Sequence, residues 1–116
     1  MPQIGLDLSL HRALTKRWRR HIGRRLMLMR DQKTDGIAVT LLREHNDPER
    51  QFRMHQVAET LAREYRGRGL RASVSRFEIE HMGGQHMETV YCVEMTILRK
   101  GARFSDEGLR IVQVHL

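Results

Sequence analysis

Residues 80 to 87 read EHMGGQHM, and the job done by the glycine pair decides how the second half of the chain folds. Two adjacent glycines permit the positive φ of a tight two-residue hairpin turn. With Gly83 and Gly84 as the central residues, Leu70 pairs with Ile97, Ala72 with Met95, and Val74 with Val93 on one face. Arg71 with Thr96, Ser73 with Glu94, and Ser75 with Cys92 then share the other face. One face is apolar and one is polar, and a one-residue slip would exchange them. The sequence therefore predicts a long antiparallel hairpin.

Towards the tip the pattern inverts. Arg76, Glu78 and Glu80 take over the apolar side, while Phe77, Ile79 and Val90 fall on the other. Strong twist or a bulge would return these residues to the same core. Alternatively the hairpin offers Phe77, Ile79 and Val90 to a partner, most simply a second copy in a homodimer. The same turn sets His81 opposite His86 and Glu80 opposite Met87. Two histidines make a poor metal site where structural zinc takes four ligands. His45 and His55 lie at other ends of their elements and show no convergence. The stretch is expected to be a bend, with no metal and no cofactor.

Upstream, residues 46–69 carry the signals of a helix. Asn46 or Asp47 can cap it, Pro48 sits in the first turn where its missing N–H costs nothing, and Glu49 favours the N-terminal dipole. Met54, Val57, Ala58, Leu61, Ala62 and Tyr65 form its buried stripe, Glu59 and Arg63 are spaced to pair, and Gly67 and Gly69 stop it. Before it, RRLMLMRD (24–31) and GIAVTLLRE (36–44) flank the turn signal Asp35-Gly36. This predicts strands near 25–31 and 37–44; the competing reading extends the first helix through Met29.

That first helix is expected from about Leu10 to Ile22, with Ser9 as N-cap. Leu10, Leu14, Trp18 and Ile22 make its apolar stripe, and Arg12, Lys16, Arg19 and Arg20 lie opposite. At the other end, GLRIVQVHL follows a Ser105–Gly108 turn and reads as a closing edge strand. Helix, two strands, helix and three strands amount to one α+β domain over residues 1–116, with helices packed on a mostly antiparallel sheet.

Charge is the strongest functional signal. Of 21 Lys and Arg residues, eight lie between Ser9 and Arg30 with no acid among them: Arg12, Lys16, Arg17, Arg19, Arg20, Arg24, Arg25 and Arg30. The remainder holds thirteen bases against fourteen acids, so the net charge of +7 belongs to this segment. An ordinary surface helix interleaves acids to make i,i+4 pairs; this one does not. Arg12, Lys16, Arg17, Arg19, Arg20, Arg24 and Arg25 are the candidate contacts to nucleic-acid phosphates, RNA or DNA, with little base reading. Aromatic residues are scarce, so base stacking has little support. The alternative is an interaction or assembly module whose arginines grip an acidic partner protein, in the manner of a phage or plasmid accessory protein that inhibits a host nucleic-acid-binding complex.

Enzyme chemistry finds little foothold. No Gly-rich phosphate loop, CxxC, HExxH or GxSxG is present. Cys92, the single cysteine, sits mid-strand as a buried, inert thiol, and a chain without a disulfide fits a reducing cytoplasm. His11 and His21 fall towards Trp18 on the inner side of the first helix. The start MPQIGLDLSL lacks the pattern of a secretory signal, and no apolar run approaches the ~20 residues of a membrane span.

Overall fold

The computed structural model describes residues 4–31, 34–103 and 109–115. Helix α1 (Ile4–Asp31) leads into strand β1 (Gly36–His45) and helix α2 (Pro48–Gly67). Strands β2 (Arg71–Gly83), β3 (His86–Leu98) and β4 (Ile111–His115) complete the domain. The sheet order is β2-β3-β1-β4, with β3 antiparallel to both of its neighbours and β4 parallel to β1. β1, α2 and β2 thus form a split β-α-β unit with β3 inserted between its strands. The architecture is α+β, with an amphipathic N-terminal helix, a long hairpin and a second helix on the sheet.

Segment 25–31 is helix, not strand, so α1 runs through Gly23 without a break. Leu26 and Met29 extend the stripe of Leu14, Trp18 and Ile22, and Met29 joins the main core. Burying that longer stripe outweighs the ~1 kcal/mol that a glycine costs inside a helix. Ser9 consequently lies within the helix and does not cap it; the segment from Ile4 to Leu8 holds no proline to stop the helix earlier. Asp35 does not turn a hairpin either. It clasps three strands where they begin and end: its carboxylate accepts from Arg99 Nε at 3.0 Å and from the Arg110 backbone N–H at 2.8 Å.

The hairpin keeps its predicted faces but not its predicted register. Ala72 pairs with Ile97, Val74 with Met95 and Gly83 with His86, a shift of two residues. Gly84 has φ +66° and Gln85 follows with negative φ, so a single left-handed position starts the turn and Gly83 ends the strand. Because side chains alternate with period two, an even shift preserves which face each residue occupies. His81 now faces Glu88 instead of His86, and Met82, not Glu80, faces Met87.

One core results, on the helix side of the sheet. Ile37, Val39 and Leu42 of β1 and Val93, Met95 and Ile97 of β3 meet Met54, Val57, Leu61 and Tyr65 of α2 and Trp18 and Ile22 of α1. A bulge between Thr40 and Leu42 lets both Val39 and Leu42 face inward. α2 is fixed by its caps as predicted: the Asp47 carboxylate accepts from the Arg50 N–H at 2.9 Å, and Gly69 takes φ +85° past the last turn. The buried Gln51 amide donates to the carbonyls of Phe77 (2.9 Å) and Cys92 (3.3 Å), which pins the start of α2 over β2 and β3. The Ser105–Gly108 turn lies outside the described residues. The closing strand is β4, at the edge beside β1.

Candidate nucleic-acid interface

Among the described residues, two polar contacts on the inner flank of α1 hold it to α2. His11 Nε2 lies 3.0 Å from the Thr60 hydroxyl, and Arg19 makes a two-pronged ion pair with Glu64 at 2.7 and 2.6 Å. The Arg19 hydrogen bonds hold the Glu64 carboxyl below its usual range, and Glu64 in turn raises the Arg19 guanidinium. Arg19 is therefore a tether between the helices, which sets it apart from the rest of the predicted phosphate-binding set. His21 is exposed, contrary to its expected place beside the core.

Arg12, Lys16, Arg17, Arg20 and Arg24 are exposed, and Arg25 is half-buried. Among the described residues none of them meets a carboxylate. Their mutual repulsion is accordingly left without local compensation, a state that an approaching anion relieves. Around α2 the arginines behave differently. Arg50 pairs with Glu44 (2.8 Å), Arg53 with Glu49 (2.9 Å), Arg66 with Glu59 (3.6 Å) and Arg68 with Glu64 (3.7 Å). Arg63, expected to pair with the Glu59 side chain, donates instead to the Glu59 carbonyl at 3.4 Å.

The fold also builds a concave site that sequence spacing did not reveal. Where β1 runs into α2, a cleft of about 330 Å³ opens beside α1. Arg17 and His21 line it from α1, Arg43 and Glu44 from β1, and Arg50 from α2, over an apolar floor that includes Leu14, Trp18 and Met54. Arg17, His21 and Arg50 thus border it with the carboxylate of Glu44, whereas Arg43 shares its row with Cys92 and Phe77, on the sheet face away from the helices. Glu44 and Arg50 are distant from Arg17 in the chain, and only the packing of α1 against the β1–α2 corner brings them to one cleft.

The candidate partner patch is reshaped as well. Phe77 and Ile79 are exposed, at 38% and 37%, but Val90 is only 2% exposed and offers no surface. Val90 lies on β3, between the flanking strands, with His45 on one side and Ile79 on the other. Phe77 and Ile79 lie on the sheet face opposite the helices, while Met82 and Met87 pair at the tip, each 60% exposed. Arg76, on the helix side, is accommodated by stacking its guanidinium 5.0 Å above the Phe52 ring.

The histidines converge more than their spacing suggested: His45 Nδ1 lies 3.3 Å from Glu88, and the His45 and His81 rings are 6.1 Å apart. Among the described residues, however, no group of three or more His, Cys, Asp or Glu side chains is arranged to hold a metal ion. Cys92 is buried, and that burial pushes its thiol up, away from the reactive thiolate. Among the described residues no helix is long and apolar enough to cross a membrane. Compared with known protein families, with curated proteins and with solved structures, the chain matches none.

Proposed function

We propose that α1 contacts the phosphate backbone of a nucleic acid, with Arg12, Lys16, Arg17, Arg20 and Arg24 as the contact groups. One observation carries this reading: these exposed cations have no carboxylate partners among the described residues, whereas Arg50, Arg53 and Arg66 of α2 and Arg68 just beyond it do. Arginine suits the task because its planar fork takes two phosphate oxygens at once. Base stacking contributes little, since Trp18, the one Phe, Tyr or Trp residue of α1, is buried. In a fluorescence-anisotropy titration, generic DNA duplex should bind at low salt. Four to six phosphate contacts give a log–log slope of roughly −3 to −5 against salt. Absence of binding to RNA and DNA at low salt removes the reading.

A second reading, self-association through the hairpin, is favoured by the exposed Phe77, Ile79, Met82 and Met87. Light scattering at micromolar concentration should then give twice the chain mass. Phe77→Asp with Ile79→Asp should give a folded monomer, because each carboxylate would lose its hydration at a dry contact. A monomeric wild type excludes this reading.

A further inference from the structure

We propose that the free edge of β2 docks a second copy of the chain, the two β2 strands pairing antiparallel about a two-fold axis at Phe77. The inference deepens the reading of self-association through the hairpin and rests on it for the existence of a dimer.

The backbone shows what the edge offers. β2 ends the sheet order, so among the described residues one of its sides faces β3 and the other faces no strand. The Gln51 amide reaches the carbonyls of both Phe77 and Cys92, which stand opposite each other on β2 and β3. Two opposed carbonyls lie between antiparallel strands only where that pair exchanges both of its hydrogen bonds. Phe77 and the other odd-numbered residues of β2 therefore direct their N–H and C=O groups to β3. The even-numbered residues turn theirs to the free edge. At one end Arg66 agrees with this: its Nε donates to the Ala72 carbonyl at 2.7 Å. Beyond Ala72, residues Val74, Arg76, Glu78, Glu80 and Met82 present a regular row, with neither bulge nor proline from Arg71 to Gly83. Such an edge is a template for a further strand.

The side chains select the occupant and the register. Charges ordinarily blunt an edge against pairing, and β2 carries Arg76, Glu78 and Glu80 on the helix side of its edge. A two-fold axis at Arg76 or at Glu78 sets that residue against its own copy, and an axis at Ile79 sets Glu78 against Glu80. An axis at Ser75 gives neither Arg76 nor Glu78 a charged partner. An axis at Phe77 sets Arg76 opposite Glu78 of the second copy, and symmetry repeats the pair. In that register Phe77 meets its own copy and Ile79 meets Ser75, in the rows without hydrogen bonds, where side chains approach most closely. The helices leave room. α2 spans β2 between Gln51 at Phe77 and Arg66 at Ala72, so it lies beside the uncovered distal half of the second β2. α1 packs on α2 and β1, and β3 separates β1 from β2, so both copies keep the cationic face of α1 in solvent.

The test uses the full chain at micromolar concentration. Phe77→Cys should give a disulfide-linked dimer on mild oxidation, because residues opposed without hydrogen bonds have Cα atoms about 4.5 Å apart, within disulfide reach. Ser75→Cys and Ile79→Cys should cross-link with each other when mixed, and neither with itself; with Cys92 buried, the wild type should not cross-link. Glu78→Pro removes an outward N–H that β3 does not use, so it should halve the light-scattering mass while the melt stays cooperative. Arg76→Glu should also halve the mass, and adding Glu78→Arg to it should restore the dimer. A dimeric wild type in which Phe77→Cys fails to cross-link, or in which the double reversal fails to restore the mass, overturns the edge pairing and leaves self-association through a face of the hairpin. A monomeric wild type overturns both.

Discussion

On α2 and just beyond it, Arg50, Arg53, Arg66 and Arg68 each end on a carboxylate; on α1, among the described residues, Arg19 alone does so. The difference is not one of arginine supply, since both segments are rich in it. It lies in the acids: Glu44, Glu49, Glu59 and Glu64 all gather around α2, and the one that reaches α1, Glu64, is shared by Arg19 and Arg68. Charges with partners belong to the architecture of the domain. Charges held apart from partners on an exposed face cost folding free energy through repulsion, a cost that a bound anion would offset. The comparison also separates what each helix buries. α2 buries Val57, Ala58, Leu61, Ala62 and Tyr65 against the sheet, so it is the structural helix; α1 adds Trp18, Ile22 and Met29 at the side.

The largest effect that would break this division of labour comes from charge placed in α2. Leu61→Asp sets an unpaired carboxylate in the core and should cost several kcal/mol of a total near 5–15, preventing folding. Arg12→Glu on α1 should leave the circular-dichroism melt unchanged. A cooperative, near-native melt for Leu61→Asp would mean that α2 is not the anchor.

Acid should act next. The Asp35 carboxyl is held below its ordinary value of 3.8 first by the Arg110 backbone N–H and then by Arg99, and Glu64 is held below 4.5 chiefly by Arg19. A depressed native pKa contributes stability above the unfolded value and loses it as pH falls through the native one. The melting temperature should therefore drop as pH is lowered from 5 through the carboxylate range. Asp35→Asn should flatten that drop; an unchanged pH profile would show that the clasp contributes nothing.

The smallest effect sharpens the contrast within α1 itself. Arg19→Ala removes a partly exposed ion pair and should lower stability by ~1 kcal/mol or less. It should weaken nucleic-acid binding less than Arg20→Ala, which removes an idle cation. A larger binding loss for Arg19 would make it a contact rather than a tether.

Much of this arrangement was legible in the sequence, and the parts that were not have identifiable causes. α2 announced itself because its cap, proline, stripe and terminal glycines agree. The hairpin faces were legible because an even shift in register leaves every side chain on its face. The shift itself was not, since either glycine of Gly83-Gly84 can begin a tight turn. Leu26 and Met29 satisfied a helical stripe within a segment that also alternates, and only the tertiary core chose between the periods. Arg19 could not be told from Arg20 because its partner, Glu64, lies on another helix. The cleft was invisible for the same reason: Arg17, Glu44 and Arg50 share no local pattern.

If, as proposed, the cations of α1 are held for an external phosphate, those of α2 should contribute little to binding. Two matched charge reversals test it directly on generic duplex DNA over a salt series. Reversing Arg12, Lys16, Arg17 and Arg20 to Glu should abolish binding in a protein that still melts cooperatively. Reversing Arg53, Arg63, Arg66 and Arg68 should leave most of the affinity and the salt slope in place. Equal losses from both sets, in proteins that both stay folded, would show that net charge rather than one helix face attracts the nucleic acid.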